Sequence, residues 1–278
     1  MTPDRDVAEV LEADWLALCR RSARSVEDEL RRRPDTAERA RTTGRGQGGD
    51  MTLAIDGAAE DAVFAELEEL GAPVTAVSEE RGHVMLAGGG PVHVVIDPID
   101  GSLNAKRGLP MFGLSIAIAG GATLADVEMG FVADLANGEE WWARRGDGAF
   151  LRGQPLPALE AGSEIELLGV DSATPRLVAA AAPALQATGA RRLRALGSIA
   201  LHLCHVASGR LDAMLSLAAC RSVDAAAGQL VVREVGGAVA FPDAGDGRLS
   251  ASLDLAMRSR VVAARDHETL GVLLAELP

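Results

Sequence analysis

Two short apolar runs that end directly on acidic residues constrain the fold more than any other feature of this chain. Residues 73–78 lead into Glu79 and Glu80, and residues 92–96 lead into Asp97. Their length and apolar content predict buried strands. Carboxylates that meet at the ends of neighbouring strands repel one another, so such an edge needs a cation between them to keep them ionised.

The rest of the first half predicts helices packed on one large sheet. Apolar residues at helical spacing predict one helix over residues 7–30, limited by Pro34, and a second helix over about 57–70, ended by Gly71. The glycine-rich residues 43–49 predict a mobile loop. Further strands are predicted over residues 114–119, 126–133 and 139–143, and around 146–153.

The chain has 278 residues, which favours two lobes. Residues 155–162 are the predicted boundary, dividing an N-terminal lobe with a mostly antiparallel sheet (1–156) from a C-terminal lobe (157–278). Strands and helices alternate in the second lobe. One of its helices is predicted to start at Ser198 and another at Asp224, the latter ended by Gly236 and Gly237.

The sharpest motif is residues 97–102, which read DPIDGS. A strand ends at Asp97, a tight turn follows, and a short helix can begin near Ser102. Asp97 and Asp100 can therefore converge on one point, which the free amides of Gly101 and Ser102 also face. Hard carboxylate oxygens with room for phosphate and water suit Mg²⁺.

Other acidic residues can complete this set. Strand alternation allows only one of Glu79 and Glu80 to point to a given site, and we select Glu79. Asp224 can cap its predicted helix and still offer an oxygen to a metal. Ser198 is a similar helix start and a candidate anion cradle. Asp56 precedes the second helix and is equally compatible with a simple capping role.

Composition excludes several classes of function. The formal net charge of −13 argues against sequence-independent nucleic-acid binding. Three widely separated cysteines without CxxC spacing favour neither a disulfide framework nor a zinc site, and they suit the cytoplasm. The longest apolar run, near residues 112–121, is too short to cross a bilayer, so no membrane association is expected.

Taken in order, these segments resemble the inositol monophosphatase superfamily. The matching signatures are Ser78-Glu79-Glu80, DPIDGS at 97–102, and DAAAG at 224–228 followed by EVGG at 234–237. Residues 50–61 are more similar to the archaeal-type branch, whose members act on inositol monophosphate and fructose 1,6-bisphosphate. The resemblance implies a two-lobed α-β-α-β-α sandwich (the sugar phosphatase fold, of mixed α+β and α/β class), commonly a homodimer, and a lithium-sensitive hydrolase.

The resemblance also implies roles for individual residues. The implied ligands of two or three Mg²⁺ ions are Glu79, Asp97, the Ile99 carbonyl, Asp100 and Asp224. Asp56 and Ser102 would form the dyad that takes a proton from the attacking water. Substrate contacts would come from Gly101, Ser102, Gly197 and Ser198.

Two features concern substrate choice. Arg194 and Arg221 lie close in sequence to Ser198 and Asp224, and we hypothesise that they bind a second phosphate or sugar oxygens. Leu217 stands where inositol-specific members carry an acidic residue, which argues against a strict inositol preference.

The expected function is Mg²⁺-dependent hydrolysis of small sugar or cyclitol phosphates, such as inositol 1-phosphate or fructose 1,6-bisphosphate. One alternative is a 3′(2′),5′-bisphosphate nucleotidase, against which the scarcity of aromatic residues counts because adenine is commonly stacked. A second alternative is a non-catalytic relative that binds phosphorylated ligands. Such a relative would be expected to lack a metal carboxylate, and none is lacking here.

Overall fold

The computed structural model describes residues 3–47, 51–162, 164–245 and 249–277. In these residues the helices are α1 (Pro3–Leu11), α2 (Trp15–Arg32), α3 (Thr36–Arg39), α4 (Ala54–Leu70), α5 (Ser102–Arg107), α6 (Pro175–Ala187), α7 (Ile199–Ala207), α8 (Ser222–Glu234) and α9 (His267–Glu276). Within this part of the chain, no helix is long and apolar enough to span a bilayer.

The strands form a hairpin and two sheets. The hairpin pairs β1 (Thr42–Arg45) with β2 (Met51–Leu53). The strands of the first sheet are β3 (Val74–Ser78), β4 (Gly82–Leu86), β5 (His93–Asp100), β6 (Gly113–Ala119), β7 (Val127–Asp134), β8 (Glu139–Arg144), β9 (Gly148–Leu151) and β10 (Gln154–Pro155). The strands of the second sheet are β11 (Leu167–Asp171), β12 (Arg192–Arg194), β13 (Ala213–Ser216), β14 (Ala238–Ala240) and β15 (Val262–Ala264).

The first sheet has eight strands in the order β10-β9-β8-β7-β6-β5-β3-β4, and the second has five in the order β12-β11-β13-β15-β14. In the first sheet only the β3–β5 pair is parallel among the described strands. In the second sheet β11 runs parallel to both of its neighbours, whereas β15 is antiparallel to β13 and β14.

Alternating side chains on the strands build a layered core. In β5, Val94 and Ile96 face the layer that contains α2 and α4, whereas Val95 faces α7 and α8 on the other side. In β13, Met214 joins the core around α7 and α8, whereas Leu215 packs toward α6 and α9. The layers therefore run helix, sheet, helix, sheet, helix, which confirms the predicted α-β-α-β-α sandwich.

The middle helical layer joins the two sheets. The core around α7 and α8 includes Val132 and Trp141 of the first sheet together with Met214 and Ala263 of the second. Hydrophobic packing is thus continuous between the two sheets. The division of the chain into lobes at residue 156 remains a prediction.

Five local predictions were wrong. Strand β5 continues to Asp100 instead of ending at Asp97, because a bulge lets its pairing with β6 resume at Asp100. Helix α4 begins at Ala54, so Asp56 lies in its first turn rather than before the helix.

The apolar repeat over residues 7–30 forms two helices rather than one, because the Asp14 side chain accepts a hydrogen bond from Ala17 N at 3.1 Å and starts α2 anew. Helix α8 begins at Ser222, so Asp224 lies in its first turn rather than at its cap. Part of the predicted loop over 43–49 is strand β1, and residues 48–50 lie outside the described residues.

Candidate active site

Three carboxylates from different elements meet at one point. Glu79 follows β3, Asp97 lies in β5, and Asp224 lies in the first turn of α8. Each offers an oxygen atom, and these three oxygens lie within 4.8 Å of one another. Asp97 is buried, whereas Glu79 and Asp224 are partly exposed, so a small ligand can reach the cluster.

Strand pairing explains how two of these carboxylates meet. Strands β3 and β5 are parallel neighbours, with Ser78 opposite Ile96, so Glu79 and Asp97, the next residue of each segment, lie side by side. The pairing of β5 with β6 then shifts register between Asp97 and Asp100, which places an extra residue in β5. Such a bulge re-aims the side chains beside it, and here it turns the DPID segment toward the cluster.

The third carboxylate is brought in by close packing of α8. Gly130 of β7 allows this approach, because a Cβ atom there would lie 2.5 Å from the Ala227 carbonyl oxygen of α8. Asp224 is oriented by a hydrogen bond in which its Oδ2 accepts from Arg221 N at 2.8 Å. Asp224 is the third residue of α8, where an acidic side chain commonly accepts a hydrogen bond from a free amide at the helix start. One of its carboxylate oxygens can do so while the carboxylate also belongs to the acidic cluster.

Asp100 connects the cluster to the C-terminal half of the chain. Its Oδ2 accepts hydrogen bonds from Ser198 Oγ and from Ala200 N, each at 2.6 Å. Asp100 therefore caps the start of α7 with one carboxylate oxygen. It is not one of the three residues whose oxygens lie within 4.8 Å, although its charge raises the pKa of Asp97.

The two glycines of the predicted substrate contacts also meet. A Cβ atom on Gly101 would lie 2.9 Å from the Gly197 carbonyl oxygen, and Gly101 has a φ of +92°. A larger residue would be excluded both by this contact and by the backbone conformation. The turn after the DPID segment and the loop before Ser198 are thus in direct backbone contact.

Asp56 and Ser102 lie beside the cluster. Asp56 is 6% exposed, and its Oδ1 is buried without a hydrogen-bond partner among the described residues. Burial, together with the charge of Glu80, raises the pKa of Asp56 to about 7, while the Leu53 amide and the Ser102 hydroxyl favour its ionised form. The Ser102 Oγ donates to the Ile99 carbonyl at 2.9 Å, which connects one member of the predicted dyad to the predicted carbonyl ligand.

The electrostatics of the cluster fit a divalent cation. Burial and then the neighbouring carboxylates raise the pKa of Asp97 and of Asp100. Burial, and after it the charge of Asp224, raises the pKa of Glu79 to about 8. The three carboxylates disfavour one another's ionised forms, and a cation between them would remove this repulsion. Carboxylate oxygens are the ligands that Mg²⁺ prefers, so Glu79, Asp97 and Asp224 would hold the ion.

The two arginines proposed for substrate binding have different surroundings. Arg221 Nη1 lies 2.6 Å from Glu79 Oε1, so its guanidinium offsets part of the negative charge of the cluster. Arg194 is exposed on β12, and its Nη1 donates to the Leu193 carbonyl at 2.9 Å. Arg194 therefore lies on the surface that leads to Gly197, whereas Arg221 lies within the cluster.

Sequence reasoning missed three residues of this region. Buried Glu60 accepts hydrogen bonds from Ser78 Oγ and the Arg81 amide and thereby supports the strand end that carries Glu79. Asp171 ends β11, and its charge adds to burial, the main cause, in raising the pKa of Asp100 and Asp224. The sequence held a signal for each of these two residues. Glu60 lies four residues after Asp56 on the same face of α4, and Asp171 follows an apolar run, as Asp97 does.

The third missed residue is Asn104 in α5. Its side chain donates hydrogen bonds to two backbone carbonyls, and one of them lies 92 residues away in sequence. No periodicity or local motif indicates a contact at that separation.

Comparison with known proteins gives consistent matches. The profile of the inositol monophosphatase family matches residues 6–277. The fructose-1,6-bisphosphatase/inositol-1-monophosphatase of Methanothermobacter thermautotrophicus is 37% identical over 91% of this chain and 93% of its own length. The protein of the same name from Archaeoglobus fulgidus is 32% identical over 96% and 98%. A solved Pyrococcus horikoshii structure, described as similar to inositol-1 monophosphatase, is 25% identical with a TM-score of 0.78, covering 95% of this chain and 98% of that one.

Proposed function

Because the chain belongs to the inositol monophosphatase family and is a phosphoric monoester hydrolase of that type, we propose that it is a Mg²⁺-dependent phosphatase of small sugar and cyclitol phosphates. The main support is the meeting of Glu79, Asp97 and Asp224 from three separate elements, with oxygens within 4.8 Å. The preferred substrates are inositol 1-phosphate and fructose 1,6-bisphosphate, the compounds named for its archaeal relatives.

The proposed chemistry assigns each residue a task. Mg²⁺ held by Glu79, Asp97 and Asp224 would supply positive charge that offsets the charge of the phosphate ester, and it would lower the pKa of a bound water molecule. Asp56 would act as general base for the attacking water through the Ser102 hydroxyl, which would turn its hydrogen from the Ile99 carbonyl to Asp56 as it takes the proton of the water. Gly101, Ser102, Gly197 and Ser198 contact the substrate, and no covalent phosphoenzyme is required.

The test is a panel of phosphate esters assayed for phosphate release with Mg²⁺ and with EDTA. The panel contains inositol 1-phosphate, fructose 1,6-bisphosphate and 3′-phosphoadenosine 5′-phosphate. We expect Mg²⁺-dependent turnover of the first two and lithium inhibition of that turnover. Preference for the nucleotide would favour the nucleotidase instead, and binding without turnover of any ester would favour a phospholigand-binding protein.

Two further expectations belong to this proposal. We expect a homodimer, which light scattering of the purified protein would measure. We also expect the protein to work in the cytoplasm, where fractionation of cells that express a tagged chain would locate it.

A further inference from the structure

A single side-chain amide ties together the two backbone segments that frame the candidate substrate site. Asn104 Nδ2 donates to the Met111 carbonyl at 2.8 Å and to the Leu196 carbonyl at 2.7 Å. An amide nitrogen carries two hydrogens, so these two bonds use its full donor capacity. Asn104 lies in α5, two residues after Ser102, whereas Leu196 directly precedes Gly197 and Ser198.

The space around this amide is closely packed. A Cβ atom on Gly197 would lie 3.0 Å from Asn104 Nδ2, and one on Gly101 would lie 3.0 Å from the Met111 carbonyl oxygen. The Asn104 amide therefore fills the space between the two loops. Loss of the amide would leave both loops without a packing partner at this point, so the loop at residues 196–198 would no longer be held in place.

Backbone conformation supports the same view. Met111 has a φ of +77°, a left-handed conformation that is unfavourable for a residue with a side chain. Such a conformation persists only where surrounding contacts impose it. The hydrogen bond from Asn104 to the Met111 carbonyl is one contact that does so.

We propose that Asn104 is a positioning residue for the phosphatase reaction. It sets the loop at residues 196–198 against the turn at residues 97–102, so that Gly101 and Ser198 face the same phosphate group. The same placement keeps Ser198 Oγ on Asp100 Oδ2 at 2.6 Å. Asn104 itself touches no reacting atom. The proposal rests on the proposed function, because both segments are assigned to the substrate by it.

The first test replaces Asn104 with Asp, which has the same shape but lacks both donors and places an oxygen against two carbonyls. We expect kcat to fall about 10- to 100-fold, the loss that a misplaced binding group typically causes. The inhibition constant of inorganic phosphate should rise about 10-fold, because Gly101 and Ser198 no longer face the same phosphate group. Asn104→Ala, which removes the donors without adding repulsion, should show the same pattern if Asn104→Asp does not fold.

The matched control is Gln229→Glu. Gln229 is also a buried amide, and its Nε2 donates to the Leu124 and Ala226 carbonyls at 3.2 Å each. The Gln229→Glu variant should have a lower melting temperature than the wild type, whereas the inhibition constant of phosphate for its folded fraction should be unchanged. A purely structural role for Asn104 would give this control result.

Hydrogen exchange supplies a readout that does not need turnover. The backbone amides of residues 197–201 should exchange at least about 10-fold faster in the Asn104 variants than in the wild type, because their loop has lost its anchor. Unchanged exchange, or activity and phosphate binding lost only in proportion to the unfolded fraction, overturns the proposal. A wild type that hydrolyses no ester refutes the proposed function instead, and the exchange result then decides the positioning role by itself.

Discussion

The replacement of Asp56 by Asn should make the protein more stable and at the same time inactive. The Asp56 carboxyl is buried, and its pKa is raised from 3.8 to about 7. A raised carboxyl pKa means that the folded state favours the neutral form, so stability is lost as pH rises from about 4 to above 7. At about 1.4 kcal/mol for each pH unit, ionisation of this group costs the folded protein about 4 kcal/mol. Asn keeps the shape but carries no charge.

Thermal unfolding in EDTA measures this effect, since a bound divalent cation would itself stabilise the ionised carboxyl. For a chain of this size about 4 kcal/mol corresponds to a rise in Tm of about 10 °C at pH values near 8, and the difference should vanish near pH 4. The kcat of Asp56→Asn should fall about 10²- to 10⁴-fold, because the general base is lost.

Asp134→Asn is the matched control for this comparison. Asp134 is as buried as Asp56, but its Oδ1 accepts from the Ala136 and Asn137 amides at 2.9 Å and its Oδ2 accepts from the Asn137 side chain. Its replacement should lower Tm, because Asn has an NH2 group in place of one carboxylate oxygen and can no longer accept every one of these hydrogen bonds. An Asp56→Asn variant that is no more stable than the wild type at high pH, or equally more stable at all pH values, would refute the reasoning.

Three further predictions address the cluster. Asp224→Asn should lower kcat at least about 100-fold in assays of phosphate release. The control Asp126→Asn should not, although Asp126 likewise accepts an amide hydrogen bond, from Thr123 N at the start of the 3₁₀ turn Leu124–Asp126. Mg²⁺ binding should release protons between pH 6 and 8, because the pKa values of Asp224 and Glu79 are raised to about 6 and about 8; calorimetry in buffers of different ionisation enthalpy measures this. Arg221→Ala should raise KM for fructose 1,6-bisphosphate more than for inositol 1-phosphate. Equal effects on both KM values would exclude a contact with the second phosphate and leave Arg221 only its ion pair with Glu79.

Much of the fold follows from local patterns that the sequence carries. The runs that lead into Glu79 and Asp97 are strands because short apolar segments with branched side chains suit a sheet buried on both faces. Gly71 ends α4 with a φ of +65°, a conformation that glycine adopts without steric cost. The DPIDGS string identifies the family because its acidic and glycine residues stand at the spacing that the turn needs.

Local rules failed where a longer-range contact or a competing cap decided the outcome. Helical periodicity continues through residues 12–14, yet the Asp14 side chain provides a new helix start there. Asp224 has the features of a helix cap, but the hydrogen bond from Arg221 N to its carboxylate extends α8 by two residues. In both cases a side chain competed with the backbone for the same amide groups.

The sequence by itself determined which residue types are available for chemistry: carboxylates directly after two apolar runs and near one helix start, and glycines where the backbone must turn. Only the tertiary structure decided which oxygens meet, that Asp100 caps α7, and that Asn104 joins segments 92 residues apart. The reason is physical. Strand and helix propensities act over a few residues, whereas the position of a carboxylate relative to another depends on sheet register and on how closely helices pack, which the whole core sets together.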